Sequence, residues 1–186
     1  MKRVAPDVLL RTERLTLRRF TPADADALRA LDADPEVVRY TNAGLTGEGP
    51  PSRADATRML ESFIARYADG AALAFWAAED RATGGFLGWF QFTPTDTPGE
   101  AELGFRLVRA AWGQGLATEG ARALVETGFR DLGVTRIVAS ALAANAASIR
   151  VMENAGLRLA HEFTHDPGGP AVEYALTRDE FEASPP

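Results

Sequence analysis

The sequence predicts an α/β protein built on one mixed sheet, and three observations predict it. Strand-like alternation and helical periodicity occupy separate stretches, in the order strand, helices, three strands, helix, strand, helix, two strands. An apolar content of 46% and a charged content of 25% over 186 residues suit a soluble chain able to bury a sizeable core. No repeat, low-complexity tract or linker interrupts the chain, so residues 1–186 read as a single domain.

The elements follow in order. Leu9 to Phe20 alternates apolar and polar from Leu15 onward and reads as one half-buried strand. Thr21 then caps a helix, with Pro22 at its first position and Asp24 completing a capping-box-like pattern. A short second helix starts at Asp34-Pro35. The segment "TNAGLTGEGPPS" (41–52) is loop by composition. From Ser52 an amphipathic helix carries Met59, Leu60, Phe63, Ile64 and Tyr67 on one stripe and stops at Gly70. "ALAFWAAE" and "GGFLGWFQF" flank the turn "DRATG" as a hairpin, and "AELGFRLV" follows as a third strand. Leu116 to Leu132 is helical, with Ala117, Ala121, Leu124, Val125 and Phe129 at helical spacing. "RIVAS" is a strand. "NAASIRVMENAG" is a helix capped by Asn145 and stopped at Gly156. "LRLAHEFTH" and "AVEYALT" close the chain as a hairpin around "DPGGP".

Composition removes several functions. The absence of cysteine excludes disulfides, thiolate metal sites and a cysteine nucleophile. Two histidines, His161 and His165, are too few for an all-histidine zinc site and no HExxH is present, so no metal is expected. A net charge of −6 suits nucleic-acid binding poorly and is compatible with a cationic amine. No apolar run approaches a membrane span and the N-terminus lacks a signal-peptide core, so a cytoplasmic location without membrane association is expected.

The informative stretch is "RAAWGQGLATEG" (109–120), where Gly113 and Gly115 separate an extended run from a long helix. A P-loop needs a lysine that is missing here. A Rossmann fingerprint fails because Thr118 stands at the third glycine and "ASALAAN" offers no carboxylate for a ribose. A pyrophosphate cradle of another kind remains. Consecutive backbone N–H groups at a helix N-terminus form an anion site without side-chain charge, and glycines let phosphate oxygens approach.

The motif R/Q-x-x-G-x-G/A of the GNAT superfamily of acyl-CoA-dependent N-acyltransferases matches "WGQGLA", with Gly115 and Ala117 at the last fixed positions and Trp112 in place of Arg/Gln. The longer pattern "AELGFRL…WGQGLATEGARAL…LGVTRIVAS…N..S..VMENAGLRL" resembles the RimJ/RimL-like branch, the ribosomal-protein N-terminal acetyltransferases, where an aromatic-Gly-x-Gly start is usual. "LRTERLTLRRFTPADADAL" and "VEYALTRDEF" fit that branch too. The resemblance implies a GNAT fold with a central, mostly antiparallel sheet flanked by helices. It also implies acetyl-CoA as co-substrate, held by Leu107, Val108, Trp112, Gly113, Gln114, Gly115, Leu116, Ala117 and Thr118, with Asn145 and Ser148 on the pantetheine arm. A homodimer is compatible with the family.

Acetyl transfer from a thioester to an amine needs a base, a polarised carbonyl and a proton for the leaving thiolate. Glu102 is the first candidate base, because Glu102, Gly104 and Arg106 share one strand face just before the cofactor loop. A solvated carboxylate, or a partner of Arg106, are the ordinary alternatives for Glu102. Glu162 is a second candidate base in the last hairpin, beside His161 and His165, and a water path is a third route. Gly104 is read either as a bulge that parts the neighbouring strands or as simple packing. Ser148 stands where the branch places the group that protonates the thiolate. Asn145 is at least an N-cap, worth about 1 kcal/mol. Glu119 is read as structural at the helix N-terminus. Trp76, Trp89, Phe90 and Phe92 are core or pocket wall. The acceptor is a peptide N-terminus by family likeness or else a small amine, and the early helices with the 41–52 loop would roof its groove.

Overall fold

The computed structural model describes residues 8–68 and 71–183. Gly70, the expected stop of the Ser52 helix, lies outside them. The fold is an eight-stranded mixed sheet in the order β1-β2-β3-β4-β5-β6-β8-β7, flanked by helices, as the sequence predicts. Strands β3 (Ala74–Asp80), β4 (Phe86–Pro94) and β5 (Glu100–Leu107) form an antiparallel meander. Strand β6 (Arg136–Leu142) pairs parallel with β5, and β8 (Gly169–Thr177) lies between β6 and the edge strand β7 (Arg158–His165). Every other adjacent pair is antiparallel.

Helix α5 (Leu116–Arg130) covers one face of the sheet. Its Leu124, Val125 and Phe129 are buried, as their spacing predicts. Two glycines bring it close. A Cβ on Gly120 would sit 2.2 Å from Phe90 Cζ, and one on Gly128 would sit 2.5 Å from Phe92 Cζ. Helices α1 (Ala25–Asp32) and α4 (Arg53–Ala65) cover the other face, around an aromatic cluster in which Phe63 stacks on Phe75 at 4.0 Å. Ser52 caps α4 through a reciprocal capping box with Asp55. Buried Tyr67 accepts from the Phe20 amide at 2.9 Å and donates to the Phe75 carbonyl, and burial pushes its phenol up to about 12.

Four expectations change. The single N-terminal strand is two, β1 (Val8–Arg11) and β2 (Leu15–Arg18), folded back at Thr12 to Arg14 without glycine or proline. The 41–52 loop contains a short helix, α3 (Asn42–Thr46), after α2 (Pro35–Val38). Gly44 is in it because a Cβ there would lie 2.1 Å from the Val38 carbonyl oxygen. A C-terminal helix, α7 (Arg178–Ala183), follows β8, with Thr177 and Glu180 exchanging cap hydrogen bonds and Phe181 against Phe129 at 5.2 Å. Gly104 forms no bulge: β4 and β5 keep unbroken register from Gly88↔Leu107 to Pro94↔Ala101. The irregularity lies between β3 and β4, where Leu87 is the extra residue.

The turn into α1 rests on charge. Arg18 grips buried Asp24 with two nitrogens at 2.8 and 2.7 Å, and Glu79 with a third at 2.6 Å. Burial alone would raise the Asp24 carboxyl. Hydrogen bonds from Arg18 and the Thr21 amide outweigh it and hold the group below its ordinary value. A depressed folded pKa contributes stability above the unfolded value of about 4, lost as pH falls through the folded value. Asp24→Asn is therefore expected to lose about 1.5–3 kcal/mol at pH 7, with the gap to the native chain closing on acidification, as read by urea melts at several pH values.

Candidate active site

The site is made by strands that stop pairing. Parallel pairing of β5 with β6 covers only Glu100↔Arg136, Ala101↔Ile137 and Glu102↔Val138. Beyond it β5 runs on to Leu107 and β6 to Leu142, unpaired with each other. The wedge between them is the neck of a cleft of about 920 Å³, lined on one lip by Gly104 and Leu107 and on the other by Ala139 and Leu142.

The glycine loop closes one side. Gly113 (φ 72°) and Gly115 (φ 78°) both adopt the left-handed region that favours glycine. Among the described residues, the consecutive amides of Gly113 to Thr118 donate to no protein acceptor. The amides on either side do: Trp112 N–H to Arg109 O at 3.1 Å, and Glu119 N–H to Gly115 O at 2.9 Å. Unpaired amides at the N-terminus of a 15-residue helix are an anion cradle. Gly113, Gly115, Leu116, Ala117 and Thr118 all line the cleft, and so does exposed Trp112, whose indole N–H donates to the Leu107 carbonyl at 2.9 Å. Leu107, Asn145 and Ser148 line it as well. Asn145 caps α6 (Ala146–Asn154) by accepting from the Ser148 amide at 3.2 Å.

Two expected ligands keep their side chains out of the cleft lining. Val108 is not in the cleft lining; its amide is spent on the Leu87 carbonyl at 2.9 Å. The Gln114 side chain turns back to the Ala110 carbonyl at 2.7 Å, outside the lining. Glu162, His161 and His165 lie on β7 away from the cleft, so the closing hairpin brings no base to it.

Glu102 stands at the neck, on the last residue paired with β6. It is no partner of Arg106, whose guanidinium bonds buried Asp32 at 2.6 Å and lies 5.0 Å over the Trp89 ring. The Gln91 amide donates to Glu102 Oε2 at 2.6 Å. Across the cleft stand Glu36 and Arg39, paired at 3.8 Å, with Val37, Tyr40 and Thr41. The α2 region thus roofs this side as expected, while the 42–52 segment does not reach the lining. Gln91 and the α2 residues escaped the sequence reading because no motif marks them; only the alternation of β4, which puts Trp89, Gln91 and Thr93 on one face, could have pointed to Gln91.

Glu119 is a clamp. It accepts from Thr12 Oγ at 2.6 Å, the Arg14 amide at 2.8 Å and Arg14 Nε at 2.7 Å, while Arg14 also bonds the Gln114 carbonyl at 2.8 Å. Burial opposes its ionisation, but these donors hold the carboxyl below its ordinary value.

The chain's sequence matches the acetyltransferase (GNAT) domain family across residues 14–158. It belongs to the GNAT acetyltransferase family. The FsC-acetyl coenzyme A-N(2)-transacetylase of Aspergillus fumigatus is 30% identical over 187 residues, spanning 92% of this chain and 77% of that protein. The aminoglycoside acetyltransferase AAC(6')-Ib, solved with coenzyme A, superposes with a TM-score of 0.72 at 28% identity, over 91% of this chain and 98% of that one. The ribosomal L7/L12 α-N-protein acetyltransferase RimL, also solved with coenzyme A, shares the fold with a TM-score of 0.79 at 18% identity, over 93% and 99%. This GNAT chain is an acetyl-CoA-dependent acetyltransferase, and the free amides of its glycine loop are of the type that holds a pyrophosphate. Among the described residues no helix is long and apolar enough to cross a membrane, and no His, Asp and Glu cluster has metal-holding geometry.

Because the Glu119 clamp ties the cradle to the β1–β2 turn without touching the cleft, Glu119→Ala is expected to raise KM for acetyl-CoA several-fold and leave kcat nearly unchanged. Steady-state kinetics with acetyl-CoA varied at saturating acceptor reads both.

Proposed function

We propose that this chain acetylates a primary amine by direct attack of that amine on the acetyl-CoA thioester, in the cytoplasm, and that the acceptor is a protein N-terminal α-amine. The observation that carries the proposal is that Glu102 and the run of unpaired amides open onto one cleft, joined through the β5–β6 wedge. The whole chain acts as one catalytic domain in this reading.

Glu102 takes the proton from the incoming ammonium, directly or through one water. The neutral nitrogen then attacks the thioester carbonyl carbon, whose oxygen is stabilised by a backbone N–H on the unpaired lip of the wedge. Collapse breaks the C–S bond, the surplus proton on the nitrogen passes through water to the leaving thiolate, and Ser148 donates a hydrogen bond to that sulfur. Leu107, Trp112, Gly113, Gly115, Leu116, Ala117, Thr118 and Asn145 hold the coenzyme, with the Val108 and Gln114 side chains contributing nothing directly.

Charge balance favours a singly charged acceptor. Arg39 answers Glu36 and Asp32 answers Arg106, which leaves Glu102 as the carboxylate without an ion-pair partner on the acceptor side among the described residues. An α-amine, with an ordinary pKa near 8, is also easier to deprotonate than a lysine near 10.4. RimL supports the same choice at the level of fold. The second reading is a small-molecule amine, favoured by the 30% identity to the fungal transacetylase and the 28% identity to the aminoglycoside acetyltransferase.

The test is calorimetric titration with acetyl-CoA, followed by thiol release against a panel of N-terminal peptides and a panel of small amines. Release with peptides supports the proposal and release only with amines supports the second reading. Binding without release with either panel would mean a coenzyme-binding sensor. Gly115→Glu is expected to weaken coenzyme binding severely, by setting a carboxylate in the cradle, while the fold survives the strain of about 1–3 kcal/mol at that φ. Glu102→Gln is expected to lower turnover about 10²–10⁴-fold with coenzyme affinity unchanged.

A further inference from the structure

The face of β5 that carries Glu102 is unusually specified, and its neighbour strand supplies the reason. Cross-strand register sets Thr93 opposite Glu102, Gln91 opposite Gly104 and Trp89 opposite Arg106. Gln91 therefore reaches diagonally to Glu102, and its amide nitrogen donates to Glu102 Oε2 at 2.6 Å and to Thr93 Oγ at 3.0 Å. Thr93 is buried, so that second bond is sheltered from water. Both hydrogens of the amide are then committed and the side chain has one orientation. Its carbonyl end lies over Gly104, where a Cβ would come within 3.2 Å of Gln91 Oε1 and 3.3 Å of Gln91 Cβ. Gly104 is thus the seat on which the Gln91 side chain rests.

We propose that Gln91 is the positioning residue of the catalytic carboxylate: it fixes one oxygen of Glu102 and leaves the other for the amine's proton, with Gly104 giving the Gln91 side chain its room. This rests on Glu102 being the base. Among the described residues Gln91 is the side-chain donor to Glu102, and it engages Oε2 of a residue that lines the cleft. The other charges facing this point are neutralised by their own partners. Arg106, two residues along the same face, is drawn away by Asp32 of α1. Glu100, two residues before, is paired with Arg136 of β6, which also meets Glu173 of β8. From the α2 side Glu36 and Arg39 answer each other, and Tyr40 stands beside them. Among the described residues no cation pairs with Glu102, so the Gln91 amide is what holds the carboxylate in place.

Glutamate labelled with ¹³C at the carboxyl carbon reads this directly in the full-length protein, the Glu102 signal being the one that disappears in Glu102→Gln. In Gln91→Leu the Glu102 carbon signal is expected to leave its native position at fixed pH, since the hydrogen bond to Oε2 is lost, and kcat to fall about tenfold with the KM for acetyl-CoA unchanged. Gly104→Ala, which presses on Gln91 without removing it, is expected to move the signal the same way by less, and the double variant no further than Gln91→Leu. A Glu102 carbon signal unmoved in Gln91→Leu overturns the proposal, and a change in Gln91→Leu with none in Gly104→Ala overturns the role of the seat. If Gln91→Leu fails to fold, Gly104→Ala alone decides. Failure of the base itself has a different signature: turnover unchanged in Glu102→Gln, whatever the carbon signal does.

Discussion

Everything functional here depends on a hydrogen-bond ladder that ends early. Adjacent strands in a sheet normally stay paired along their shared length, because each unpaired backbone group that is buried costs about 1–3 kcal/mol. β5 and β6 instead part after Glu102 and Val138. The parting leaves two lips of unsatisfied backbone, the arrangement a peptide-like arm can occupy. It also opens a passage from the face covered by α5 to the face covered by α1 and α4. One reactant can enter from each face and meet at the neck, where Glu102 stands.

The rest of the structure keeps that opening from collapsing. On the cofactor side, α5 is held down by the contacts of Gly120 and Gly128 with Phe90 and Phe92, while the Glu119 clamp fixes its N-terminus. Arg122 ties it to α6 by donating to the Asn154 carbonyl at 2.7 Å. On the acceptor side, the Asp32–Arg106 pair and the stacked Arg106–Trp89 contact brace the far end of β5. A helix whose first amides go unpaired is intrinsically weak at that end. The clamp therefore offsets a local deficit that anion binding requires.

Much of this was legible in the sequence because it is local. The glycine loop, the long α5 stripe, the Ser52 and Asn145 caps and the outward face of Glu102 all follow from spacing and side-chain chemistry. What escaped is long-range or disguised. The β1–β2 turn has no glycine or proline; Thr12 and Leu15 close it by local bonds, and Glu119, more than a hundred positions later, accepts from Thr12 and Arg14 to hold it. Gly44 looked like loop composition, yet it serves close packing against Val38. Gly104 could be read as a bulge or as packing, and it is packing: it makes room for Gln91. A glycine in a sequence announces that something comes near, and only the fold says what. The helix α7 was readable after all, since Thr177 and Glu180 have capping-box spacing.

The glycines of α5 also bear on how such a chain can drift. With no methyl group between helix and sheet at Gly120, the ring of Phe90 fills the whole gap, and each residue sets the size the other may have. Neither can change alone without overpacking or leaving a hole. Alanine at 120 fits only with a smaller side chain at 90. The same reciprocity holds between Gly128 and Phe92, about two helical turns further on. These two pairs form a historical lock: the helix that presents the cradle can be re-tuned only by exchanges made on both sides of the interface at once.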